Sequence, residues 1–177
     1  DVWVMDPEEP SSAKIALESP DGTYWYTQEF SDSGSRILAG NYVSIADSRV
    51  HLVDLDTGDV TLLAGGTGAP TSNSPIAFDD EGDGFWLVTS QGGEFDQLAW
   101  QPLEAGADPE IVTADIPWNV TNAVISDDRR RMAFVVNENG MSALYLMDPK
   151  SHEYARVDEV PVGVVITPSV WKSASAP

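Results

Sequence analysis

Arg131-Met132-Ala133-Phe134-Val135-Val136-Asn137-Glu138-Asn139-Gly140-Met141-Ser142-Ala143-Leu144-Tyr145-Leu146-Met147-Asp148-Pro149 is the stretch that decides the fold. Its two apolar runs, 132–136 and 143–147, have the length of strands and are too short to form stable helices. A short polar segment ending in Gly140 separates them, so the pattern predicts a β-hairpin. Both runs are apolar on both faces, which indicates that the hairpin lies between neighbouring sheets.

The second run of this hairpin recurs three more times along the chain, as Val2–Pro7, Val50–Leu55 and Leu98–Leu103. Aligned on Asp6, Asp54, Pro102 and Asp148, the copies follow one another at intervals of 48, 48 and 46 residues. Repeats of about 40–50 residues with several strands in each are typical of β-propeller blades, which are small four-stranded sheets.

The sequence around each copy supplies the other strands of a blade. Each copy is followed by a turn and an outer strand, predicted at Ala13–Leu17, Asp59–Leu63, Glu110–Thr113 and Tyr154–Val157. Three copies are preceded by two further strands, predicted at Tyr24–Phe30 and Arg36–Tyr42, at Pro75–Phe78 and Phe85–Thr89, and at Asn122–Ile125 and Met132–Val136. The repeated run is therefore the third strand of each blade.

We therefore predict an all-β protein, a β-propeller with about three complete blades and a half blade at each end. One domain covers 1–177, with blades at about 1–18 (partial), 19–64, 74–114, 119–160 and 161–177 (partial), the last opening on Gly163–Ile166 and Ser169–Trp171. Two arrangements remain open, a closed ring of four blades and a slice of a larger propeller. Pairing of 169–172 with 1–5 would indicate the ring, whereas unpaired edges would favour association into a homo-oligomer.

The charge of the chain excludes some partners. It has 29 acidic and nine basic side chains, a net charge of −20, so neither nucleic acid nor an anionic membrane surface is an expected partner. The one basic run, Arg129–Arg131, follows two aspartates and is interpreted as a solvated, locally compensated turn. No run of about 20 apolar residues and no signal-peptide pattern is present, so we expect a cytoplasmic protein, with a secreted or periplasmic protein that has lost its leader as the alternative.

Two sets of residues resemble known propellers. Ser126–Val136 followed by Leu144–Asp148 is similar to the Ser-Pro-Asp-Gly repeat of TolB-like propellers. The phrases Asn41–Ser44, Ser90–Phe95 and Asp115–Val120 resemble the N-terminal propeller of the prolyl oligopeptidase family, especially its acylaminoacyl-peptidase branch. The turns 31–34 and 79–82 depart from the TolB pattern because they lack the proline.

The resemblance implies a propeller without chemistry of its own, part of a serine peptidase. Its partner would be an α/β-hydrolase domain, absent from this chain, which carries a Ser, Asp and His triad; the propeller would pack on that domain and gate the access of peptide substrates. The alternative is a self-standing small propeller that binds a ligand or a protein. An autonomous propeller hydrolase or lactonase would need a cluster of histidines and carboxylates that is not visible here.

A search for chemistry within the chain gives no catalytic residue, no cofactor site and no metal ligand. There is no Gly-x-Ser-x-Gly elbow and no cysteine, which excludes a presented serine nucleophile of that type and any thiolate ligand. The two histidines are far apart in sequence: we interpret His51 as a packed strand residue and His152 as a solvated turn residue.

Other polar motifs have a structural interpretation. Asp54-x-Asp56-x-Gly58-Asp59 and Asp79–Asp83 place carboxylates as in turns, with a weak calcium site as the alternative. Gly65–Gly68 is not followed by a helix, so we interpret it as an inter-blade connection rather than a phosphate site. Asn119-Val120-Thr121 matches a glycosylation sequon, here interpreted as a chance match.

Aromatic side chains are expected to pack between the blades, because wedge-shaped gaps between sheets need bulky rings. The candidates are the group Tyr24-Trp25-Tyr26 and the tryptophans Trp3, Trp86, Trp100, Trp118 and Trp171. A channel-lining or ligand-stacking role is the alternative for these rings.

Overall fold

The structure is a computed structural model, and it describes residues 1–19, 22–161 and 163–164. This described part contains strands and no helix. A two-stranded sheet, here called the half blade, is formed by β1 (Val2–Asp6) and β2 (Glu9–Leu17). Three four-stranded sheets follow.

The three sheets are called blades 1, 2 and 3 in chain order. Blade 1 consists of β3 (Tyr24–Phe30), β4 (Arg36–Ser44), β5 (Asp47–Asp54) and β6 (Val60–Ala64). Blade 2 consists of β7 (Asn73–Phe78), β8 (Gly84–Thr89), β9 (Gln97–Pro102) and β10 (Glu110–Ile111). Blade 3 consists of β11 (Asn119–Ile125), β12 (Met132–Glu138), β13 (Met141–Met147) and β14 (Tyr154–Arg156). In each blade the strands are antiparallel and adjacent in chain order.

This architecture confirms the predicted all-β propeller fold. The hairpin of 131–149 forms β12 and β13, and the repeated run is the third strand of every blade. Strand ends differ from the prediction by a few residues; β2 starts earlier than Ala13, and β10 stops at Ile111 instead of Thr113. That the whole of 1–177 is one domain stays a prediction.

Within the described residues β1 pairs with β2 alone, and the sheets do not close into a ring. The predicted opening of a further blade, at 163–166 and 169–171, falls almost wholly outside the described residues. Gly163 and Val164, which are described, do not belong to a strand.

The cores between the blades are built from the second strand of each blade, whose successive side chains alternate between its two faces. In β8, Phe85 and Leu87 pack towards blade 1, whereas Trp86 between them packs towards blade 3. In β4, Leu38 packs towards blade 2, and Ile37 and its alternate neighbour Ala39 pack on the half blade. Because successive side chains of a strand point to opposite faces, one strand supplies both neighbouring interfaces.

Aspartates at the ends of the third strands fix the turns to the outer strands. Oδ1 of Asp54 accepts the backbone N–H groups of Asp56 and Thr57, at 3.0 and 2.8 Å. Oδ1 of Asp148 accepts those of Lys150 and Ser151, at 2.9 and 3.4 Å. The carboxylates accept backbone N–H groups of the turn that have no partner in a neighbouring strand. This explains why aspartate recurs at this position of the repeat.

Not every predicted interior position is buried. Trp3 is 59% and Tyr24 is 67% exposed, so the expectation that they pack between blades is wrong. Trp3 points away from blade 1, on a face of the half blade that no described sheet covers, because it alternates with Val2 and Val4. Leu146 in β13 is 38% exposed, so the hairpin is buried on both faces only along β12. Trp171 lies outside the described residues.

Replacing Phe134 by alanine should lower the free energy of unfolding by about 3–5 kcal/mol, the usual cost of an aromatic-sized cavity. Phe134 is fully buried, and its ring stacks on Tyr145 at 5.0 Å and meets Tyr154 edge-on at 5.5 Å. The measurement is urea unfolding followed by circular dichroism. The matched control Leu146→Ala, in the next strand, should cost much less; equal costs would contradict the packing described here.

Candidate functional site

A cleft opens between blades 2 and 3, at the end of the blades where the first strand turns into the second. We call this end the turn end and this space the cleft. Its volume is about 750 Å³, within the range of about 300–1,000 Å³ usual for small-molecule sites. It lies among hairpin turns, where side chains are positioned by local backbone hydrogen bonds.

The two walls of the cleft differ in charge. The wall from blade 2 holds carboxylates and two indole rings, in Asp79, Asp80, Glu81, Trp86, Trp100 and Glu110. The wall from blade 3 holds the basic side chains of the cleft together with two carboxylates and a proline, in Asp128, Arg129, Arg130, Arg131, Asp148, Pro149, Lys150 and His152. Four of the nine basic residues of the chain thus lie on one wall, facing four carboxylates.

Aromatic rings form the inner part of the cleft. Trp86 is 1% exposed, and its ring lies 5.2 Å from that of His152, with the planes at 75°. His152 Nδ1 is 3.1 Å from Glu110 Oε1, so these two side chains bridge the walls. Trp100 Nε1 donates to Asp79 Oδ2 at 2.9 Å. The indole N–H of Trp86, in contrast, is buried without a hydrogen-bond partner among the described residues.

Two carboxylates on the blade 3 wall are held ionised by their own turns. The backbone N–H of Lys150 is the largest influence that lowers the pKa of Asp148, and the Arg131 guanidinium, 3.4 Å away, lowers it further. The hydroxyl of Ser126, which donates to Asp128, is the largest influence that lowers the pKa of that group. Both groups therefore remain anionic at neutral pH.

Arg129 and His152 have an unusual backbone conformation. Their φ angles are 58° and 59°, in the left-handed region that costs a residue with a Cβ about 1–2 kcal/mol. The equivalent turn positions of the other blades are glycines, Gly34 and Gly82 for Arg129 and Gly58 for His152. Blade 3 therefore replaces glycine twice, and both replacements put a side chain into the cleft.

The Arg129 side chain reaches across to blade 1. Its Nη2 lies 2.6 Å from Glu29 Oε1, and the two side chains are only 14% and 26% exposed. Glu29 Oε2 accepts the backbone N–H of Phe78 in blade 2, at 2.8 Å. One carboxylate thus connects the first strand of blade 1 to both other blades.

These contacts correct two sequence predictions. Arg129 is not part of a solvated turn, because its charge is paired with a carboxylate 100 residues earlier in the chain. His152 does lie in a turn, but its side chain is only 28% exposed and packs on Trp86. Arg130 and Arg131 are exposed, as predicted. The position of Arg129 and His152 at glycine sites of the repeat was the sequence signal for both.

The remaining candidates lie elsewhere. His51 lies in β5, and the centre of its ring is 4.6 Å from that of Trp25. This agrees with its interpretation as a packed strand residue. Asp79 Oδ1 accepts the backbone N–H groups of Gly82 and Asp83, so this carboxylate stabilises the turn between β7 and β8. No group of three or more potential metal-ligating side chains was found in the described part of the chain.

Two further motifs connect blades. Gly65–Gly68 lies between β6 and β7, and a Cβ on Gly65 would stand 2.5 Å from the Ser48 carbonyl oxygen. Asn119 Oδ1 accepts the backbone N–H of Asp96 at 2.8 Å, which ties β11 to blade 2. In neither place is there a helix that could bind phosphate.

Comparison with known proteins supports the fold. No protein-family model matches the chain, and no curated protein sequence matches it. Among solved structures, TolB from Acinetobacter baumannii is 16% identical with a TM-score of 0.64, over 87% of this chain and 36% of that one. A prolyl endopeptidase (16% identity, TM-score 0.68) and a puromycin-hydrolyzing peptidase of Mycobacterium tuberculosis (14%, 0.68) match over 87% of this chain.

The chain spans 22% and 25% of those two peptidases, and about a third of TolB. At these identities the similarity establishes the fold: the chain is a portion of a β-propeller of the type found in TolB-like proteins and prolyl oligopeptidase family enzymes. The part of the chain that the structure describes holds no helix that could serve as a membrane span.

Arg129→Gly should destabilise the protein less than Arg129→Ala, by about 1–2 kcal/mol, because glycine relieves the left-handed backbone and alanine does not. Both variants lose the contact with Glu29. A double-mutant cycle of Glu29→Gln with Arg129→Ala should give a coupling energy of about 1.5–3 kcal/mol, the range for a charged hydrogen bond. Urea unfolding measures both; zero coupling would contradict the contact.

His51 should titrate with a pKa of about 4, lowered first by burial and then by the Arg49 charge. A folded-state pKa below the unfolded value of about 6.5 means that only the unfolded chain takes up this proton as the pH falls. The free energy of unfolding should therefore decrease from about pH 6.5 to about pH 4 by this contribution. His51→Phe should show a smaller decrease than the unchanged chain. An NMR pKa near 6.5 would contradict this.

Proposed function

We propose that this chain is the non-catalytic propeller portion of a prolyl-oligopeptidase-like serine peptidase. The observation that carries the proposal is the similarity of fold to the prolyl endopeptidase and the puromycin-hydrolyzing peptidase, together with the family-like phrases of the sequence. The chain would pack on an α/β-hydrolase domain that holds the serine, aspartate and histidine. It would pack on that domain and limit access to the active site, and it would supply no group that reacts.

The end of the blades opposite the turn end supports packing against another domain. Apolar side chains are exposed there, with Ile45 90%, Tyr24 67% and Tyr42 48% exposed in blade 1. Met141 (50%) and Trp118 (38%) lie at the same end of blade 3. Phe30 (49%) and Val60 (45%) are exposed at the turn end, so Ile45 and Tyr24 distinguish the opposite end, and exposed apolar groups of this kind are typical of an interface. We propose that the hydrolase domain covers this end.

Gating follows from the shape of such an assembly. A propeller that covers an active site admits only chains that can reach the catalytic serine through its openings, so peptides would pass and folded proteins would not. The contact of Glu29 with both Arg129 and Phe78 would keep neighbouring blades together at the turn end. Its strength would then influence how readily the blades separate.

A self-standing ligand-binding propeller is the second candidate function. The cleft favours it, because its walls carry unpaired polar groups that a catalytic partner at the opposite end of the blades would not reach. This function and the peptidase function are compatible with each other in a longer protein.

The gene for this chain should continue in frame after Pro177 into a Gly-x-Ser-x-Gly elbow, followed by an aspartate and a histidine. The intact gene product should react covalently with a fluorophosphonate probe, and its elbow Ser→Ala variant should not. The chain 1–177 alone, as the matched control, should not react either. A stop codon directly after Pro177, or a full-length product that does not react, would contradict the peptidase proposal.

A further inference from the structure

The starting point is the buried donor of the cleft. Trp86 is 1% exposed, yet its indole N–H has no partner in the described part of the chain. A buried donor left without a hydrogen bond costs about 1–3 kcal/mol, so such groups are rare unless something else occupies the site. Trp100, on the same wall, has its N–H satisfied by Asp79. Because Nε1 is not accessible to solvent, a ligand acceptor would reach it only by displacing the side chains that cover it.

The basic side chains of the cleft that make no ion pair lie on the blade 3 wall, beside the carboxylates of Asp128 and Asp148, and two unpaired carboxylates lie on the blade 2 wall. On the blade 3 wall, Arg130 and Lys150 make no side-chain hydrogen bond or ion pair with described residues, whereas Arg129 and Arg131 are paired. On the blade 2 wall, Asp80 and Glu81 are likewise unpaired in the described structure. A ligand with a single charge would satisfy one wall and face repulsion from the other. A ligand with both charges satisfies both.

The space between the walls suits an apolar group. Trp100 and His152 present ring surface to it, with the buried Trp86 ring against His152, and aromatic rings bury apolar and aromatic groups favourably. The volume of about 750 Å³ exceeds what one amino acid needs and would accept a dipeptide. Arg129 and His152 occupy turn positions that are glycine in other blades. Their side chains are therefore held in the cleft at the cost of a strained, left-handed backbone.

From these observations we propose that the cleft binds a small zwitterion with an apolar body, about the size of a dipeptide. Its carboxylate binds Arg130 and Lys150, and its ammonium group binds Asp80 and Glu81. The apolar side chain packs on the indole rings. This site goes beyond the proposed peptidase function, because every group that it uses belongs to this chain and no bond is made or broken.

The test uses the ¹⁵N-labelled chain and the dipeptide phenylalanylleucine as the probe. Each tryptophan gives one indole N–H signal, and tryptophan-to-phenylalanine variants assign the signals of Trp86 and Trp118. Titration should shift the Trp86 signal in a saturable manner and leave that of Trp118, at the opposite end of the blades, unchanged. The N-acetylated and C-amidated forms of the dipeptide each lack one charge and should bind about tenfold more weakly, as for the loss of one charged hydrogen bond.

Variants separate binding from folding. Arg130→Gln with Lys150→Gln should weaken binding of the dipeptide and of its N-acetylated form, but not that of its amide. Asp80→Asn with Glu81→Gln should show the reverse selectivity. All four positions are exposed, so these variants should fold, and Lys14→Gln on the half blade serves as the control. An unmoved Trp86 signal at saturating probe, or equal binding of the blocked and free dipeptides, would overturn the proposal. Neither result depends on whether a hydrolase domain exists.

Discussion

The second strand of each blade imposes a constraint on which the remaining structure depends, because it must be covered on both faces at once. β8 and β12 are buried along nearly their whole length, and their alternate side chains point into different inter-blade cores. A sheet with such a strand cannot bury its apolar surface alone, so each blade is stable only between neighbours. The half blade supplies part of this cover for blade 1 through Val2 and Leu17.

Polar contacts keep the blades in register at both ends. At one end, the Ser48 hydroxyl of blade 1 and the buried Asn73 of blade 2 exchange hydrogen bonds with each other's backbone, at 2.6–2.9 Å. At the turn end, Glu29 connects blade 1 to blades 2 and 3. The apolar cores supply most of the stabilisation, whereas these directional bonds limit how one sheet can rotate or slide on the next.

The sequence predicted the parts of the structure that depend on local pattern. Strand alternation and the turn aspartates, such as Asp54 and Asp148, act within a few residues, so the repeat could be read from them. The contact of Glu29 with Arg129 spans 100 residues, and no local pattern specifies it. The exposure of Trp3 could not be predicted either, because it depends on which neighbour covers one face of a sheet. The cleft could not be predicted for the same reason, since its two walls come from the turns of two different blades.

Blade 3 differs from the other blades at the positions that matter most for the cleft. Among the described residues, three residues other than glycine have a positive φ angle, namely Arg129, Asn139 and His152. Asn139 tolerates this conformation through its short polar side chain, but Arg129 and His152 have no such compensation. Both occupy turn positions that are glycine in other copies of the repeat, and both side chains line one cleft. The turn geometry alone would favour glycine at both positions. The arginine and the histidine are therefore explained by the contacts of their side chains, Arg129 with Glu29 and His152 with Trp86 and Glu110. This end of blade 3 thus forms part of the cleft as well as connecting strands.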